Sequence, residues 1–244
     1  MARIIRVLVL LALFAIPAVA VSAQEAVTRV YVAYFQVHYG DLEEWMESYH
    51  QNSAPVLQAM MDAGAISGFG AHLHNTGGEY NIRQVMRGTT ETNWDAVWDQ
   101  YLGDLTRRNP AAAARGNRMI LAHEDEIWNI DALNAPNPGR YFYDAQFQVN
   151  FADLEEWNRI VGGTLVPVLE KGVADGLISG WVQESHNTGG RFTSKLIIMS
   201  DEWDTLDDIQ ALMLEAAPFS HPMWKMFTAH KDELWEALPP PGDN

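Results

Sequence analysis

Two histidines and two basic residues are the side chains in this sequence best suited to acid–base or ligand chemistry. His72 and His74 are two residues apart in a strand-like segment, so both imidazoles lie on one face, about 7 Å apart. Arg83 and Lys195 occupy equivalent positions in two similar segments. Histidine transfers protons near neutral pH, and a buried cation binds anionic groups. These residues predict a pocket for a small polar or anionic organic molecule.

The same alternation adds other polar side chains to this face. A first strand-like segment carries Tyr34, Gln36 and His38 on one side, which is unusually polar for an inward-facing strand. We predict catalytic roles for His38, His72, His74 and Arg83. We predict ligand contacts from Tyr34, Gln36, Gln148, Glu184, His186 and Lys195.

Several alternatives compete with a catalytic pocket. The polar face can be a hydrogen-bonded network that only seals two halves of the protein together. His74 and His186 each precede an Asn-Thr-Gly-Gly turn and can simply hydrogen-bond its backbone. His72 and His74 can also share a metal ion, with His38 or Glu184 as a third ligand.

Other conspicuous residues favour structural roles. The helical spacing of Trp45, Trp94, Trp98 and Trp157 predicts core packing, with pocket walls as the lesser option. His123 and His230 are interpreted as histidines at the C-terminal ends of helices. The sequence contains no phosphate-binding loop, nucleophile elbow, dinucleotide fingerprint or zincin motif, so it identifies neither cofactor nor reaction.

An internal repeat defines the elements that must position these residues. Residues 41–45 (DLEEW) recur as 153–157, and residues 74–78 (HNTGG) recur as 186–190, a spacing of 112 residues in both cases. The Pro, Asn and Gly content between the copies indicates a linker. We divide the chain into a signal peptide (1–23), a first repeat (27–131), a linker (132–139), a second repeat (140–238) and a disordered tail (239–244).

Each repeat shows the order β-α-β-β-α-β, with a kink or restart of the first helix at Pro55 or Pro167. With the ending Asp-Glu-Ile/Leu-Trp at residues 125–128 and 232–235, the chain resembles the dimeric α/β-barrel superfamily, which includes antibiotic-biosynthesis-monooxygenase-like and stress-responsive domains. The resemblance implies an α+β protein in which two tandem ferredoxin-like repeats form one intrachain barrel. That superfamily includes cofactor-free oxygenases, haem-binding enzymes, isomerases and dehalogenating enzymes, so the fold does not select an activity.

The N-terminus and the charge indicate the compartment and exclude some partners. Residues 1–23 combine two arginines, a short apolar run and a small-x-small ending, which predicts a secretory signal peptide and a periplasmic or secreted protein without a stable membrane anchor. Formal net charge is -16, which argues against nucleic-acid binding. The absence of cysteine excludes disulfides and thiolate sites.

We therefore expect an exported small-molecule enzyme or binding protein with a His/Arg-lined pocket. One alternative is a non-catalytic structural or interaction protein, and a second is a metal- or haem-binding protein. The sequence leaves homo-oligomerisation open.

Overall fold

The computed structural model describes residues 27–76, 78–137 and 139–238. The predicted signal peptide (1–23) and the predicted disordered tail (239–244) lie outside the described residues. No helix among the described residues is long and apolar enough to cross a membrane.

Both repeats have the predicted element order. The first comprises β1 (Arg29–Val37), α1 (Leu42–Ser48), α2 (Ala54–Asp62), β2 (Gly68–Thr76), β3 (Ile82–Gly88), α3 (Trp94–Arg108), α4 (Pro110–Met119) and β4 (Ile120–Asn134). The second comprises β5 (Tyr141–Val149), α5 (Leu154–Thr164), α6 (Val166–Ala174), β6 (Gly180–Thr188), β7 (Ser194–Ser200), α7 (Asp204–Ala216) and β8 (Phe227–Ala237).

The eight strands close into one antiparallel barrel within the chain, in the order β1-β3-β2-β8-β5-β7-β6-β4. Each repeat contributes four consecutive strands, and the repeats join where β2 meets β8 and where β4 meets β6. The two junctions are equivalent: His74 lies opposite Trp235 in one, and His186 lies opposite Trp128 in the other. The predicted fold class is confirmed.

Strand alternation separates two outer cores from the barrel interior. On β1, Tyr31, Ala33 and Phe35 pack against the helices of the first repeat, as predicted. The intervening side chains, such as Val32 and Tyr34, point into the barrel with Trp128 and Trp235. The polar face predicted from the sequence is therefore the inner wall of the barrel.

The predicted interruption of the first helix is present in both repeats. A π-helical segment, Tyr49–Ser53, separates α1 from α2, and Pro55 is the second residue of α2. In the second repeat α5 ends at Thr164, and Pro167 is the second residue of α6. Proline fits at these positions because the first turn of a helix leaves its backbone N–H groups without intrahelical acceptors.

The last strand of each repeat is longer than predicted, and this corrects two interpretations. His123 and His230 lie within β4 and β8, not at helix ends. Residues 132–134, assigned to the linker, belong to β4. The reason is that β4 pairs with β1 along its first part and with β6 along its second, so the junction continues the strand.

Candidate functional site

A buried polar layer crosses the middle of the barrel, and Arg83 is its first cation. Arg83 is 3% exposed, and its Nε donates to Nδ1 of His72 at 3.0 Å. Its Nη1 pairs with Asp144 of the second repeat, and its guanidinium lies 4.8 Å from the ring centre of Trp235. Burial alone would lower the pKa of Arg83, but Asp144, with Tyr34 and Glu233, more than offsets this and the pKa is raised. Arg83 is thus a fixed positive charge.

Lys195 is the equivalent cation of the second repeat and reaches back into the first. It is 1% exposed and donates to the hydroxyl of Tyr34 at 3.3 Å. Its Nζ lies 3.7 Å from Oε2 of Glu126 and 4.1 Å from the ring centre of Trp128. The Nε1 of Trp128 donates to the same Glu126 oxygen at 2.8 Å. Each cation therefore links the two repeats.

Glu184 and His72 occupy equivalent positions on β6 and β2, and burial shifts the pKa of each towards its uncharged form. Burial raises the pKa of Glu184 to about 7, although Lys195, 3.8 Å from Oε2, opposes the shift. Its Oε2 has no hydrogen-bond partner among the described residues. Burial, with Arg83 and Arg87, lowers the pKa of His72 well below its ordinary value. His72 is therefore neutral at physiological pH.

The remaining sequence-predicted residues lie away from this layer or serve the turns. The Nε2 of His74 accepts from the backbone N–H of Gly78 at 2.9 Å, and Nε2 of His186 lies 2.6 Å from the carbonyl oxygen of Gly189. These contacts correspond to the turn-bonding alternative. His38 is exposed just after β1 and does not join the cluster. Gln36 and Gln148 are half-buried, and in the described chain no hydrogen bond links them to it.

Sequence reasoning missed two acidic members of the layer. Glu126 and Glu233 are 5% and 1% exposed and come from β4 and β8. Each touches the Gly-Gly turn of the other repeat, where a Cβ on Gly190 or Gly78 would collide with the carboxylate. The repeated Asp-Glu-x-Trp ending was the available signal, because a Glu and a Trp two residues apart share a strand face.

The polar layer separates two cavities inside the barrel. The larger, about 730 Å³, opens beside the Gly-Gly turns and reaches Tyr34, Glu126, Gln146 and Glu233. The smaller, about 150 Å³, lies on the other side of the layer and has His72, Arg83, Glu184 and Lys195 at its base. Of the four predicted catalytic residues, His72 and Arg83 thus border a small cavity, and Arg83 also ties the repeats together.

A third cavity, here called the aromatic pocket, lies between the sheet and the helices of the first repeat. Its volume is about 340 Å³. Aromatic side chains line it from β1, α1, the π-helical segment and α3: Phe35, Trp45, Tyr49, Trp98 and Tyr101. Trp45 and Trp98 were interpreted from the sequence as packing residues, and they also form pocket wall. π-Helical turns frequently occur at functional sites.

The aromatic pocket has a polar floor. Gln84 is 3% exposed, and its Oε1 accepts from the hydroxyl of Tyr101 at 3.4 Å. Its amide nitrogen finds no hydrogen-bond partner within the part of the chain that the structure describes. Leaving a buried donor unpaired costs about 1–3 kcal/mol. A ligand oxygen at this nitrogen would recover that cost.

The second repeat has apolar residues where the first has this polar floor. At the repeat spacing of 112, Tyr49, Ser53, Gln84 and Tyr101 correspond to Val161, Leu165, Leu196 and Met213. These four residues belong to, or pack against, the second hydrophobic core. Gln84 and Tyr101 therefore give the first repeat hydrogen-bonding groups where the second repeat has apolar side chains.

One histidine borders the aromatic pocket. His123 stacks on Phe35 with ring centres 4.8 Å apart, and its Nε2 lies 2.8 Å from Oδ1 of Asp125. The two groups are close but no hydrogen bond joins them, so the carboxylate does not fix the orientation of the imidazole. His123 therefore contributes an imidazole to the edge of the aromatic pocket.

Comparisons with known proteins give structural neighbours only. No family model and no curated protein sequence matches the chain. A candidate monooxygenase from Fusobacterium nucleatum has a TM-score of 0.62 at 10% identity, covering 88% of this chain and 94% of its own. One from Lactobacillus acidophilus has a TM-score of 0.58 at 11% identity, covering 88% and 95%. A haem-binding protein from Thermus thermophilus has a TM-score of 0.50 at 10% identity, covering 86% and 91%.

Haem does not fit the residues of the aromatic pocket. No lysine or arginine lines the pocket among the described residues, so the haem propionates would lack a cation. The described residues also contain no group of three or more His, Asp or Glu side chains placed to hold a metal ion.

Proposed function

Because this chain has the dimeric α/β-barrel fold, closed here by two repeats of one polypeptide, we propose that it is an exported protein that binds a planar aromatic molecule. The site is the aromatic pocket of the first repeat, and the bound molecule is the substrate of an enzyme or the cargo of a carrier. Export is proposed from the signal-peptide pattern of residues 1–23.

The unpaired amide nitrogen of Gln84 is the observation that carries this proposal. Ligand sites are mostly apolar, with a few placed polar groups that fix orientation. In the aromatic pocket, the rings of Trp45 and Trp98 offer flat apolar contact, and Gln84 offers one buried donor. A phenolic or carbonyl oxygen on a planar ring matches this combination.

His123 supplies the group that could act chemically on such a ligand. An imidazole at the edge of a binding pocket can act as a general base. A phenol placed against Gln84 and His123 would lose its proton more readily and become electron-rich. Two of the structural neighbours are candidate monooxygenases, which favours an oxidative enzyme over a carrier.

The proposal is tested by titrating the mature chain with 1-naphthol and anthrone, following tryptophan fluorescence and calorimetric heat. We expect binding to the wild type and at least tenfold weaker binding to Gln84→Leu and Tyr101→Met, which copy the second repeat. Met213→Leu, at the position equivalent to Tyr101, is the matched control and should bind as the wild type does. Failure of both probes to bind, or unchanged affinity in Gln84→Leu, would overturn the proposal.

A second function, sealing the repeats together, fits the polar layer and not the aromatic pocket. Arg83 pairs with Asp144 and Lys195 contacts Tyr34 and Glu126, in each case across the repeat boundary. We propose that this layer is chiefly structural on its acidic side. The small His/Arg-lined cavity on its other side suits a different class of ligand.

A further inference from the structure

The small cavity of the barrel, here called the barrel cavity, has walls and base of opposite character. Aliphatic or aromatic side chains from both repeats form most of its walls, among them Val30, Val32, Val85, Ile130, Phe142, Val182, Ile197 and Met199. Its base is formed by His72, Arg83, Glu184 and Lys195, and Arg87 borders it from β3. Its volume of about 150 Å³ suffices for a molecule of the size of benzene.

Two groups at the base can bond to an occupant. Arg83 donates to Nδ1 of His72, so the neutral imidazole carries its proton on Nε2 and is a donor there. Gly70, two residues earlier on the same face of β2, leaves space beside this nitrogen: a Cβ at Gly70 would still be 3.9 Å from it. Glu184 contributes the second group, a carboxyl oxygen without a partner among the residues described.

Two of the three cations that border the cavity near Glu184 already have acidic partners before any ligand enters. Arg83 is paired with Asp144, and Lys195 lies near both Glu126 and Glu184. Glu184 itself has its pKa raised to about 7, so below this pH it holds a proton that it can donate. Arg87, the remaining cation that borders the cavity, forms no ion pair within the described residues. An incoming anion therefore meets two hydrogen-bond donors and one unpaired positive charge.

We propose that the barrel cavity binds a short aliphatic carboxylic acid, with its carboxylate between His72 and Glu184 and its hydrocarbon part against the valine-rich walls. A carboxylate accepts from the His72 Nε2–H and from the protonated Glu184, which satisfies the orphaned oxygen by a shared proton. An alcohol of the same shape would fill the walls but lose the charge-assisted bonds. This site is separate from the aromatic pocket and does not depend on it.

The test measures isothermal heats and ligand-observed NMR with sodium isobutyrate and, as a control of equal shape, isobutanol. At about pH 6 we expect isobutyrate to bind at least tenfold more tightly than isobutanol. Affinity should fall about tenfold per pH unit above pH 7, as Glu184 ionises. Glu184→Gln keeps a neutral donor and should bind isobutyrate with little pH dependence above 7.

Two further variants separate this site from binding elsewhere. Val85→Phe fills the cavity from its wall and should abolish isobutyrate binding. The same change in Val168→Phe, on α6 and away from the cavity lining, should leave isobutyrate binding unchanged. Circular dichroism establishes that each variant is folded, and Val182→Phe replaces Val85→Phe if the latter unfolds. The proposal is overturned by equal affinity for isobutanol, by binding that survives filling of the cavity, or by no binding of isobutyrate at about pH 6.

Discussion

Replacing Glu184 by glutamine should change the pH dependence of stability in a calculable way. Glu184 is 2% exposed, and its pKa is raised from 4.5 to about 7, first by burial and then by Asp144 and Glu126 against the opposing effect of Lys195. The folded protein therefore holds this proton more tightly than the unfolded chain does. Between about pH 4.5 and pH 7 the wild type loses stability as the pH rises, and the loss is complete above about pH 7.

The magnitude follows from the size of the shift. One pKa unit corresponds to about 1.4 kcal/mol, so ionisation of Glu184 costs the folded state about 3 kcal/mol at pH 8. Glutamine has nearly the same shape and does not ionise. We subtract the free energy of unfolding of the wild type from that of Glu184→Gln at each pH. This difference should be about 3 kcal/mol more favourable to the variant at pH 8 than at about pH 4.

The assay is urea unfolding followed by tryptophan fluorescence, with both proteins measured at a series of pH values. Glu155→Gln is the control, because Glu155 is exposed at the start of α5 and the same change there should give a difference that hardly varies with pH. An equal difference between the free energies of unfolding of wild type and Glu184→Gln at pH 4 and at pH 8 would contradict this reasoning. In that case the folded protein does not hold a proton on the buried Glu184 carboxyl group.

Further predictions concern the polar layer and the turns. Arg83→Met leaves the buried Asp144 without its cation and should lower the free energy of unfolding by about 3–5 kcal/mol. The double variant Arg83→Met, Asp144→Val should recover most of this loss. Urea unfolding measures both, and recovery of less than a third of the loss would contradict the pairing. Gly190→Ala should lower the melting temperature, because its Cβ would collide with Glu126 at a residue of positive φ. Gly162→Ala, on α5 where an added Cβ meets no other atom, should keep or raise the melting temperature because alanine has the higher helix propensity. Equal melting temperatures of the two alanine variants would refute this account.

Local pattern predicted much of the fold because the pattern is set by neighbours along the chain. A period of two marks the inner and outer faces of β1, and the repeat of 112 residues gives the second half without further assumption. The position of His72, Arg83 and Lys195 inside the barrel followed from these periods together with the barrel resemblance. The extent of β4 did not, because its second part is held by β6, about fifty residues further along the chain.

The aromatic pocket was the largest omission. Trp45 and Trp98 have the same helical spacing as core residues. Helical spacing is the same for a side chain that fills a core and for one that lines a cavity, so it could not distinguish the two roles. A comparison of the repeats position by position could have found it, since Gln84 faces the helices where Leu196 does in the second copy. The exchange of Leu196 for Gln84 identifies the first repeat as the one whose outer sheet face carries a hydrogen-bonding side chain at this position.

The sequence by itself determined the duplicated β-α-β-β-α-β units and which side chains share a face, because both depend on spacing along the backbone. Tertiary structure alone decided that Arg83 meets Asp144 and that Lys195 meets Glu126, because these pairs form only when β2 joins β8 and β4 joins β6. It also decided the burial that keeps Glu184 protonated near neutral pH, since desolvation depends on the whole closed barrel and on no single strand.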